Sequence, residues 1–402
     1  MLGLASALQA RGHDVLLATN EHFAPMAEAT GVPFEVLGTE ENYRQAINHP
    51  DLWNPRKAFQ HVFQFLAPGL KRQYEIHAQA GRDAIAISNC LGFGALMSQE
   101  ALGIRLLTVH LQPGVIWSDQ APPALGGFNG PRWLRRLMFR MGERWILDRI
   151  ICPFLNDWRK ELGLPPIRKM MRKWNSPYGV VCLFPDWYAA PQPDWPQPLI
   201  QTDFPLWNFG SNESLSPELE VWLNQGDRPL VFTPGSANLH GRTFFEAGVD
   251  ACRRLKRRGI LLTRFAEQIP ADLPAGVRHV PYVPLEQLLP RCAAFIHHGG
   301  IGSASQAMAA GIPQVIMPLA HDQFDNADRV TRLGIGQGIP VQKFRAARLA
   351  GVLQPLLESV SVRQSCEEIC EKFTDQNGLS QAAERIEQHI LRSGPLVAVG
   401  TP

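Results

Sequence analysis

The stretch Ala293-Ala294-Phe295-Ile296-His297-His298-Gly299-Gly300-Ile301-Gly302-Ser303 runs from apolar residues through a glycine turn into a helix of small residues. The apolar run predicts a buried strand, and Gly311-Ile312-Pro313 ends the helix that follows. A strand that ends in glycines and opens a helix aims several backbone N–H groups at one point, which suits a phosphate group. We expect both His297 and His298 at the mouth of this site.

The size and composition of the chain fit two ordinary globular domains. It has 402 residues, 45% of them hydrophobic, and a net charge of +2, which is too balanced to indicate nucleic-acid binding. Its seven cysteines are scattered without a Cys-x-x-Cys pair, as in proteins of a reducing compartment. No apolar run is long enough for a membrane span, and no signal segment opens the chain, so we expect a cytoplasmic protein.

Short apolar strands alternate with helical patterns in both halves of the chain. The strands predicted in the first half are Val15–Thr19, Phe34–Leu37, Ala84–Ser88, Leu106–Val109 and Val180–Leu183. Those predicted in the second half are Pro229–Thr233, Ile260–Thr263, Arg278–Pro281, Ala293–Ile296 and Gln314–Pro318. This alternation predicts an α/β protein with two doubly wound, Rossmann-like domains that face a cleft. Ligands of such sheets bind at the carboxyl ends of the strands.

The expected domain boundary follows a stretch crowded with proline and tryptophan. We predict an N-terminal domain at 1–205, a linker at 206–225, a C-terminal domain at 226–378, and a last helix and tail at 379–402. The start is unusual, because Leu2–Ala10 is helical in pattern and precedes the first strand. An α/β domain normally opens with a strand at the centre of its sheet. We therefore expect the first strand of the N-terminal domain to be missing.

The glycine turn offers several phosphate contacts. Gly299, Gly300 and Gly302 permit close backbone approach, and Ser303 can donate a hydrogen bond at the start of the helix. His298 can add a charge-assisted hydrogen bond, worth about 1.5–3 kcal/mol. The alternative is a tight structural turn with a packed histidine.

Two further segments end strands at the same edge of the predicted sheet. Thr233-Pro234-Gly235-Ser236 repeats the geometry of a strand followed by a loop, and Gly235 and Ser236 would lie beside the same phosphates, although a plain turn fits it too. In Val280-Pro281-Tyr282-Val283-Pro284, Tyr282 offers a ring face and Val283 a backbone edge to a flat base. Core packing is the alternative for Tyr282.

Asp322 and Gln323 follow the strand Gln314–Pro318 and precede a helix. A carboxylate and an amide together can bind two neighbouring sugar hydroxyl groups. The alternative for Asp322 is an ordinary N-cap of that helix. Phosphate donors beside partners for sugar hydroxyls indicate a nucleotide-sugar site.

These motifs resemble the donor signature of the GT-B nucleotide-sugar glycosyltransferases of the UDP-glycosyltransferase superfamily. Asp51–Pro55, Ser176–Leu199 and His321–Arg329 resemble more narrowly the rhamnosyltransferase chain of rhamnolipid synthesis and sterol-glucosyltransferase-like enzymes. The resemblance covers nearly the whole chain. It implies a UDP-sugar or dTDP-sugar as co-substrate, with no other cofactor and no metal.

Residue by residue, the resemblance assigns the donor contacts as follows. The diphosphate is assigned to His298 and Ser303, the base to Tyr282 and Val283, and the sugar to Asp322 and Gln323. Many relatives have Glu in place of Gln306, where it binds the ribose hydroxyl pair. Gln306 would weaken that contact and leaves a thymidine-type donor open. Relatives also begin with a strand and a glycine turn that carries the catalytic base or its neighbour, and this chain starts after it.

The catalytic base is unknown from the sequence, and the acceptor side gives only weak candidates. His110 ends a strand and Asp119 lies in the loop that follows, although a solvated loop residue is the more common role for each. We expect an apolar or lipid-like acceptor from a set of large apolar residues in the first half: Phe59, Phe63, Phe65, Leu66, Trp117 and Trp187.

The helix predicted at Arg132–Ile150 mixes arginines with large apolar residues. It can contact an anionic lipid surface, which would place the protein at the inner face of a membrane. An amphipathic helix with a solvated basic face is the more common explanation.

The resemblance implies an inverting hexosyltransferase that acts on a hydroxyl group of a small acceptor. No Asp-x-Asp pair stands near the donor motif, so a metal-held diphosphate is not expected. Two alternatives stay open: a nucleotide-sugar-binding subunit or inactive fragment without the catalytic base, and a sugar-nucleotide epimerase. A Rossmann oxidoreductase is disfavoured, because no Gly-x-Gly-x-x-Gly follows the first strand.

Overall fold

The computed structural model describes residues 1–54, 57–124, 130–207, 214–235, 241–373 and 378–393. The strands are β1 (Leu17–Asn20), β2 (Phe34–Gly38), β3 (Ile85–Asn89), β4 (Arg105–His110), β5 (Val180–Cys182), β6 (Leu199–Gln201), β7 (Leu230–Thr233), β8 (Gly259–Leu262), β9 (Val277–Val280), β10 (Ala294–His297), β11 (Gln314–Ile316) and β12 (Gly336–Gly338). In the described residues they form three sheets, and every pairing between them is parallel.

Helices cover the sheets and connect their strands. They are α1 (Leu2–Ala10), α2 (Ala24–Thr30), α3 (Glu40–Asn48), α4 (Ala58–Ala80), α5 (Phe93–Leu102), α6 (Arg132–Gly142), α7 (Asp148–Glu161), α8 (Met170–Lys173), α9 (Pro217–Asn224), α10 (Arg242–Leu255), α11 (Leu285–Leu288), α12 (Ile301–Ala309), α13 (Gln323–Arg332), α14 (Ala346–Glu358), α15 (Val360–Cys370) and α16 (Gly378–Ser393). A π-turn, Glu143–Leu147, joins α6 to α7 within the single helix that the sequence predicts.

The C-terminal sheet has the strand order β12-β11-β10-β7-β8-β9. Its chain winds in one direction from β7 to β9 and in the other from β10 to β12. The strand order therefore reverses between β7 and β10, whose carboxyl ends lie side by side because Thr233 pairs with His297. A crevice at such a reversal is the usual ligand site of a doubly wound sheet.

The central strands of this sheet are apolar because helices cover both faces. Leu230, Phe232, Phe295 and Ile296 are fully buried, and Phe245 of α10 packs in the same cluster as Leu230, Phe232 and Ile296. Continuous apolar runs are typical of such parallel strands. This packing holds the ends of β7 and β10 at fixed positions.

The N-terminal half contains two sheets where the sequence predicts one. Strands β3, β4, β5 and β6 form a four-stranded sheet, whereas β1 pairs only with β2 in the described part of the chain. A cavity of about 980 Å³ separates the open edges of β1 and β3, and consecutive residues of both strands line it. Consecutive residues line a cavity when a strand meets it edge-on, because alternate side chains point to opposite faces. The cavity lies where a central strand is expected.

The last helix returns to the N-terminal half. Ile386 of α16 packs with Leu4 and Leu8 of α1, and the imidazole of His389 lies 2.6 Å from the carbonyl oxygen of Tyr178. The region predicted as a linker contributes α9, whose Trp222 is buried in the C-terminal core.

Polar contacts also hold the two halves together. The backbone N–H of Ala124 donates to Asp325 Oδ1 at 3.1 Å, and Arg329 donates to the carbonyl oxygen of Tyr188 at 2.9 Å. Asp325 and Arg329 form a buried ion pair at 2.7 Å. These contacts fix α13, which belongs to the C-terminal half, against the N-terminal half.

Candidate active site

The loops after β7 and β10 touch each other at the strand-order reversal. Gly235 has φ of +102°, and a Cβ added to it would lie 2.8 Å from the ring of His298. Glycine is therefore required on both conformational and steric grounds. The structure brings these two predicted elements together, while the predicted contact of Ser236 lies outside the described residues.

Gly299 makes the turn between β10 and α12. Its φ is +96°, and a Cβ added there would lie 2.5 Å from Ile316 Cγ2. The next residue, Gly300, is the N-cap of α12. A Cβ added at Gly302 would meet no described protein atom within 4 Å. The first turn of the helix therefore faces open space at Gly302.

His297 does not stand at the mouth, which corrects the expectation for this residue. It is fully buried, and its Nδ1 accepts the backbone N–H of Gly299 at 3.1 Å. Its Nε2 therefore carries the hydrogen and donates to Gln314 Oε1 at 3.0 Å. The side chains of His297 and His298 point in opposite directions, because successive side chains along a strand alternate between its two faces. His297 braces the glycine turn from inside.

His298 is the histidine that lies beside the glycine loops. Its ring lies against Gly235 and Gly300, since a Cβ added to either would approach it to 2.8 Å. Burial, with a smaller effect of His321, lowers the pKa of His298 to about 4. The ring is therefore a neutral hydrogen-bonding group near pH 7, whereas the sequence suggested a charge-assisted donor.

The first turn of α12 presents backbone N–H groups that have no partner within the helix. Gly302 and Ser303 occupy the second and third positions of this turn. The helix dipole adds a partial positive charge at the same end. Gln306 follows one turn after Ser303 and is half-buried. The predicted diphosphate contact of Ser303 and the predicted ribose contact of Gln306 are thus on one helix.

Asp322 lies at the N-cap position of α13, but its side chain does not cap that helix. Its Oδ2 accepts a hydrogen bond from Asn326 Nδ2 at 2.7 Å, and the backbone N–H of Ile301 also donates to the carboxylate. Burial raises the pKa of Asp322 against these opposing hydrogen bonds. The N-cap explanation therefore fails, and the carboxylate faces the start of α12.

Gln323 is buried and braces the loop before it. Its Oε1 accepts the backbone N–H groups of Leu319 at 2.7 Å and Ala320 at 3.1 Å. The carbonyl oxygen is committed to the loop, which leaves Nε2 as the atom for the predicted sugar contact.

Asn326 joins the parts of the site, and sequence reasoning did not assign it a role. Its Nδ2 donates to the carbonyl oxygen of Gly299 at 2.9 Å as well as to Asp322, and its Oδ1 accepts from Tyr188 at 2.8 Å. The signal available in the sequence was its spacing of four residues from Asp322, which places both on one face of α13.

The predicted base platform follows β9. The ring of Tyr282 is exposed, and Val283 is buried beside it. The guanidinium of Arg264 lies 5.0 Å from the centroid of the Tyr282 ring. An exposed ring beside a cation suits a stacked base, and core packing is excluded for Tyr282. Arg264 was not predicted, because it comes from the loop after the neighbouring strand β8.

Neither acceptor-side candidate has the environment of a catalytic base. His110 is buried at 1% exposure, its Nε2 lies 2.6 Å from Asn175 Oδ1, and burial lowers its pKa to about 4. Asp119 pairs with Arg140 at 2.7 Å, and this hydrogen bond chiefly lowers its pKa. The structure corrects both expectations, since His110 does not face the cleft and Asp119 clamps α6.

Most of the apolar residues predicted for the acceptor pocket pack instead in the protein interior or against other aromatic rings. Phe63 and Trp117 are buried in the core that α4, α5 and α7 share, and Phe59 packs at its edge. Trp187 packs against Phe204 and Phe373. Two of the six, Phe65 and Leu66, line the 980 Å³ cavity.

No three side chains of His, Cys, Asp or Glu among the described residues converge in a way that would hold a metal ion. None of the described helices combines the length and the apolar character that crossing a bilayer requires.

The chain is similar in sequence and in fold to several known proteins. A family model described as the C-terminal domain of erythromycin biosynthesis protein CIII-like proteins matches residues 260–388. The vancomycin aglycone glucosyltransferase of Amycolatopsis orientalis is 32% identical over 379 residues, covering 88% of this chain and 87% of the relative. A sterol 3-beta-glucosyltransferase of Arabidopsis thaliana is 24% identical and covers 98% of this chain.

The chain spans about two thirds of the length of that plant relative, since the match covers 66% of it. The solved glycosyltransferase VinC, in complex with dTDP, shares the fold with a TM-score of 0.68 and 22% identity, over 98% of this chain and 96% of the other. The predicted resemblance and fold class are confirmed. The chain belongs to the GT-B glycosyltransferase superfamily.

Proposed function

We propose that the protein transfers a hexose from a UDP- or dTDP-sugar to a hydroxyl group of a small, apolar or lipid-like acceptor, with inversion at the anomeric carbon. The observation that carries the proposal is the convergence of Gly235, His298, the first turn of α12 and Asp322 at the strand-order reversal. Backbone donors and a neutral imidazole suit a diphosphate, and a carboxylate suits sugar hydroxyls.

The diphosphate is assigned to the first turn of α12 and to His298. N–H groups of Gly302 and Ser303, together with the helix dipole, would stabilise the charge that develops as the nucleotide leaves. An anion beside His298 would raise its pKa from the present value of about 4 and strengthen its hydrogen bond. These fixed donors require no metal ion.

The nucleoside is assigned to Tyr282, Val283 and Gln306. The exposed Tyr282 ring would stack on the base, and the neutral amide of Gln306 would face the sugar of the nucleoside. An amide binds a ribose hydroxyl pair less strongly than a carboxylate does. We therefore favour a dTDP-sugar, in keeping with the dTDP in the VinC complex.

The reaction would be one displacement at the anomeric carbon. The acceptor oxygen forms a bond to the anomeric carbon while the bond between that carbon and the diphosphate oxygen breaks. The hydroxyl proton passes to a base on the acceptor side, which is typically worth about 10²–10⁴ in rate. Asp322 would hold the donor sugar in place, and the bonding pair leaves with the nucleoside diphosphate.

A thermal-shift screen with UDP-, dTDP- and other nucleotide sugars tests the donor site. We expect a shift with one nucleotide class, and its loss in His298→Ala and Asp322→Asn. Asp328→Asn is the matched control, because Asp328 pairs with Arg332 on the same helix. An undiminished shift in both site variants would refute the assigned contacts.

A binding protein without transfer activity is the second candidate. It is favoured by the burial of His110 and the clamping of Asp119, which leave no base identified. Product analysis with a radiolabelled donor and a panel of hydroxylated lipids, sterols and soluble sugars separates the two. Donor binding without any product would support the binding protein, and transfer only to soluble sugars would refute the apolar acceptor.

A further inference from the structure

Helix α6 and the π-turn after it expose an unusual set of side chains. Between residues 132 and 149, every exposed residue is either a large apolar side chain or an arginine. The apolar ones are Trp133, Leu137, Met141, Trp145 and Ile146, and the arginines are Arg132, Arg140, Arg144 and Arg149. We call this surface the α6 face.

The apolar side chains of the α6 face form a stripe. Trp133, Leu137 and Met141 are four residues apart, so they lie on the same side of α6. Trp145 and Ile146 continue the stripe in the π-turn. The opposite side of the helix is the one that packs inward, where Phe139 stacks on Trp117 with ring centroids 4.7 Å apart.

This exposure differs from that of an ordinary amphipathic helix. Such a helix buries its apolar side and exposes a polar one, whereas α6 buries Phe139 and exposes a second apolar stripe. Trp133 is 66% exposed and Trp145 is 49% exposed. Large contiguous apolar patches usually mark a surface that binds something. The exposed apolar side chains of the α6 face therefore indicate that it binds an apolar partner.

The charges on and around the α6 face specify the partner further. Arg144 and Arg149 lie 5.2 and 4.7 Å from the ring of Trp145. The adjacent α8 segment exposes four more basic residues, Arg168, Lys169, Arg172 and Lys173. A partner that matches both features has a negatively charged surface and an apolar interior beneath that surface.

The acidic residues of this region are either buried or already engaged by backbone or arginine groups. Glu143 is buried, and Asp148 accepts the backbone N–H groups of Lys169 and Met170 at 2.9 and 3.0 Å. Asp119 is held by Arg140 at 2.7 Å. Arg172 lies 3.9 Å from Glu143 and stacks on Trp117, so it is also engaged. Arg144, Arg149, Lys169 and Lys173 form no ion pair with an acidic residue in the described part of the chain, and they leave this surface positively charged.

We infer that the α6 face docks the protein on an anionic lipid membrane, with α6 lying in the plane of the interface. The apolar stripe would enter the boundary between headgroups and acyl chains, the tryptophans would lie at headgroup depth, and the arginines would meet anionic headgroups. This inference stands whether or not the protein transfers sugar. If the acceptor is a lipid, docking through the α6 face would place the N-terminal half against the membrane that contains the acceptor.

Vesicle flotation of the full chain tests the inference without any nucleotide sugar. We expect flotation with phosphatidylcholine vesicles that contain phosphatidylglycerol, weaker flotation with phosphatidylcholine alone, and loss of the difference at high salt. The triple variant W133S/L137S/M141S should not float. Its melting temperature should be unchanged, because the three side chains are exposed.

Charge and control variants sharpen the result. R144Q and R149Q should each weaken binding to the anionic vesicles by about fivefold and leave the weak binding to neutral vesicles unchanged. The matched control is V360S/L391S, which removes exposed apolar side chains from α15 and α16 and should float normally.

Three outcomes would overturn the inference. The first is no flotation of the unchanged protein with anionic vesicles, and the second is normal flotation of the triple variant. The third is self-association, seen by sedimentation velocity, that the triple variant abolishes while the unchanged protein ignores vesicles. In that case a second copy of the chain covers the α6 face.

Discussion

The side-chain amide of Asn326 donates to the carbonyl oxygen of Gly299 at 2.9 Å. The same nitrogen donates to Asp322 at 2.7 Å, and the oxygen of the amide accepts from Tyr188 at 2.8 Å. This buried amide therefore ties the glycine turn, the carboxylate of Asp322 and the N-terminal half together.

Asn326→Ala should lose donor binding and stability together. It leaves the buried carbonyl of Gly299 without this donor, which costs about 1–3 kcal/mol in the free energy of unfolding, and it releases Asp322. Tyr188→Phe is the matched comparison, because it removes only the bond to the amide oxygen. It should lower the melting temperature but keep the donor thermal shift. A full donor shift in Asn326→Ala would show that the amide does not position the site.

Gly235→Ala should displace His298. The new Cβ would approach the imidazole to 2.8 Å, at a φ of +102°. Gly12→Ala is a control for backbone strain, since its φ is +91° and no described atom lies within 4 Å of the added Cβ. Both changes hold alanine at a positive φ, which should destabilise the fold by roughly 1–3 kcal/mol. Only Gly235→Ala should weaken binding of the donor diphosphate in calorimetry, and equal weakening in both would contradict the proposed contact.

The stability of the protein should fall as the pH drops from about 6.5 toward 4. Burial lowers the pKa of His110 to about 4 and that of His297 to about 3. An unfolded chain titrates these groups near pH 6.5, so between the two values only the unfolded state binds the proton. Each group then removes on the order of 3 kcal/mol from the free energy of unfolding, and that stability is fully present only above about pH 6.5.

His110→Gln checks this pH dependence. Its amide nitrogen can still donate to Asn175 Oδ1, but it does not titrate in this range. We expect the melting temperature of the variant to fall less steeply between pH 6.5 and 4. An unchanged slope would mean that His110 does not resist protonation in the folded protein.

The sequence predicted the parts of the fold that depend on local patterns. The bounds of α1, Leu2–Ala10, were predicted as the structure has them, because its apolar pattern stops before Gly12. Strands β6 and β12 were missed, since three-residue strands carry too little pattern. The π-turn in the middle of the predicted helix 132–150 depends on packing and has no local signal.

The features of the candidate site likewise divide into those with a local sequence signal and those without one. The glycine loops were predicted because strand ends and helix starts have local signatures. The inward direction of His297, the bracing role of Gln323 and the pairing of Asp119 with Arg140 depend on partners distant along the chain. Pair contacts of that kind are fixed only when the strands are ordered in the sheet, so a single sequence does not show them.

Gly302→Ala separates stability from donor binding at the start of α12. Alanine favours a helix by about 0.5–1 kcal/mol over glycine, and the added methyl group would meet no described protein atom within 4 Å. The variant should therefore melt at a higher temperature. If the diphosphate lies in the space at Gly302, the methyl group should also reduce the donor thermal shift.

Gly351→Ala supplies the matched control for this change. Gly351 lies inside α14, and its added Cβ would likewise meet nothing within 4 Å among the described residues. We expect the same gain in melting temperature and an unchanged donor shift. Because both variants gain stability, a lower donor shift in Gly302→Ala alone cannot come from partial unfolding. Equal donor thermal shifts in the two variants would show that the diphosphate does not bind at the first turn of α12.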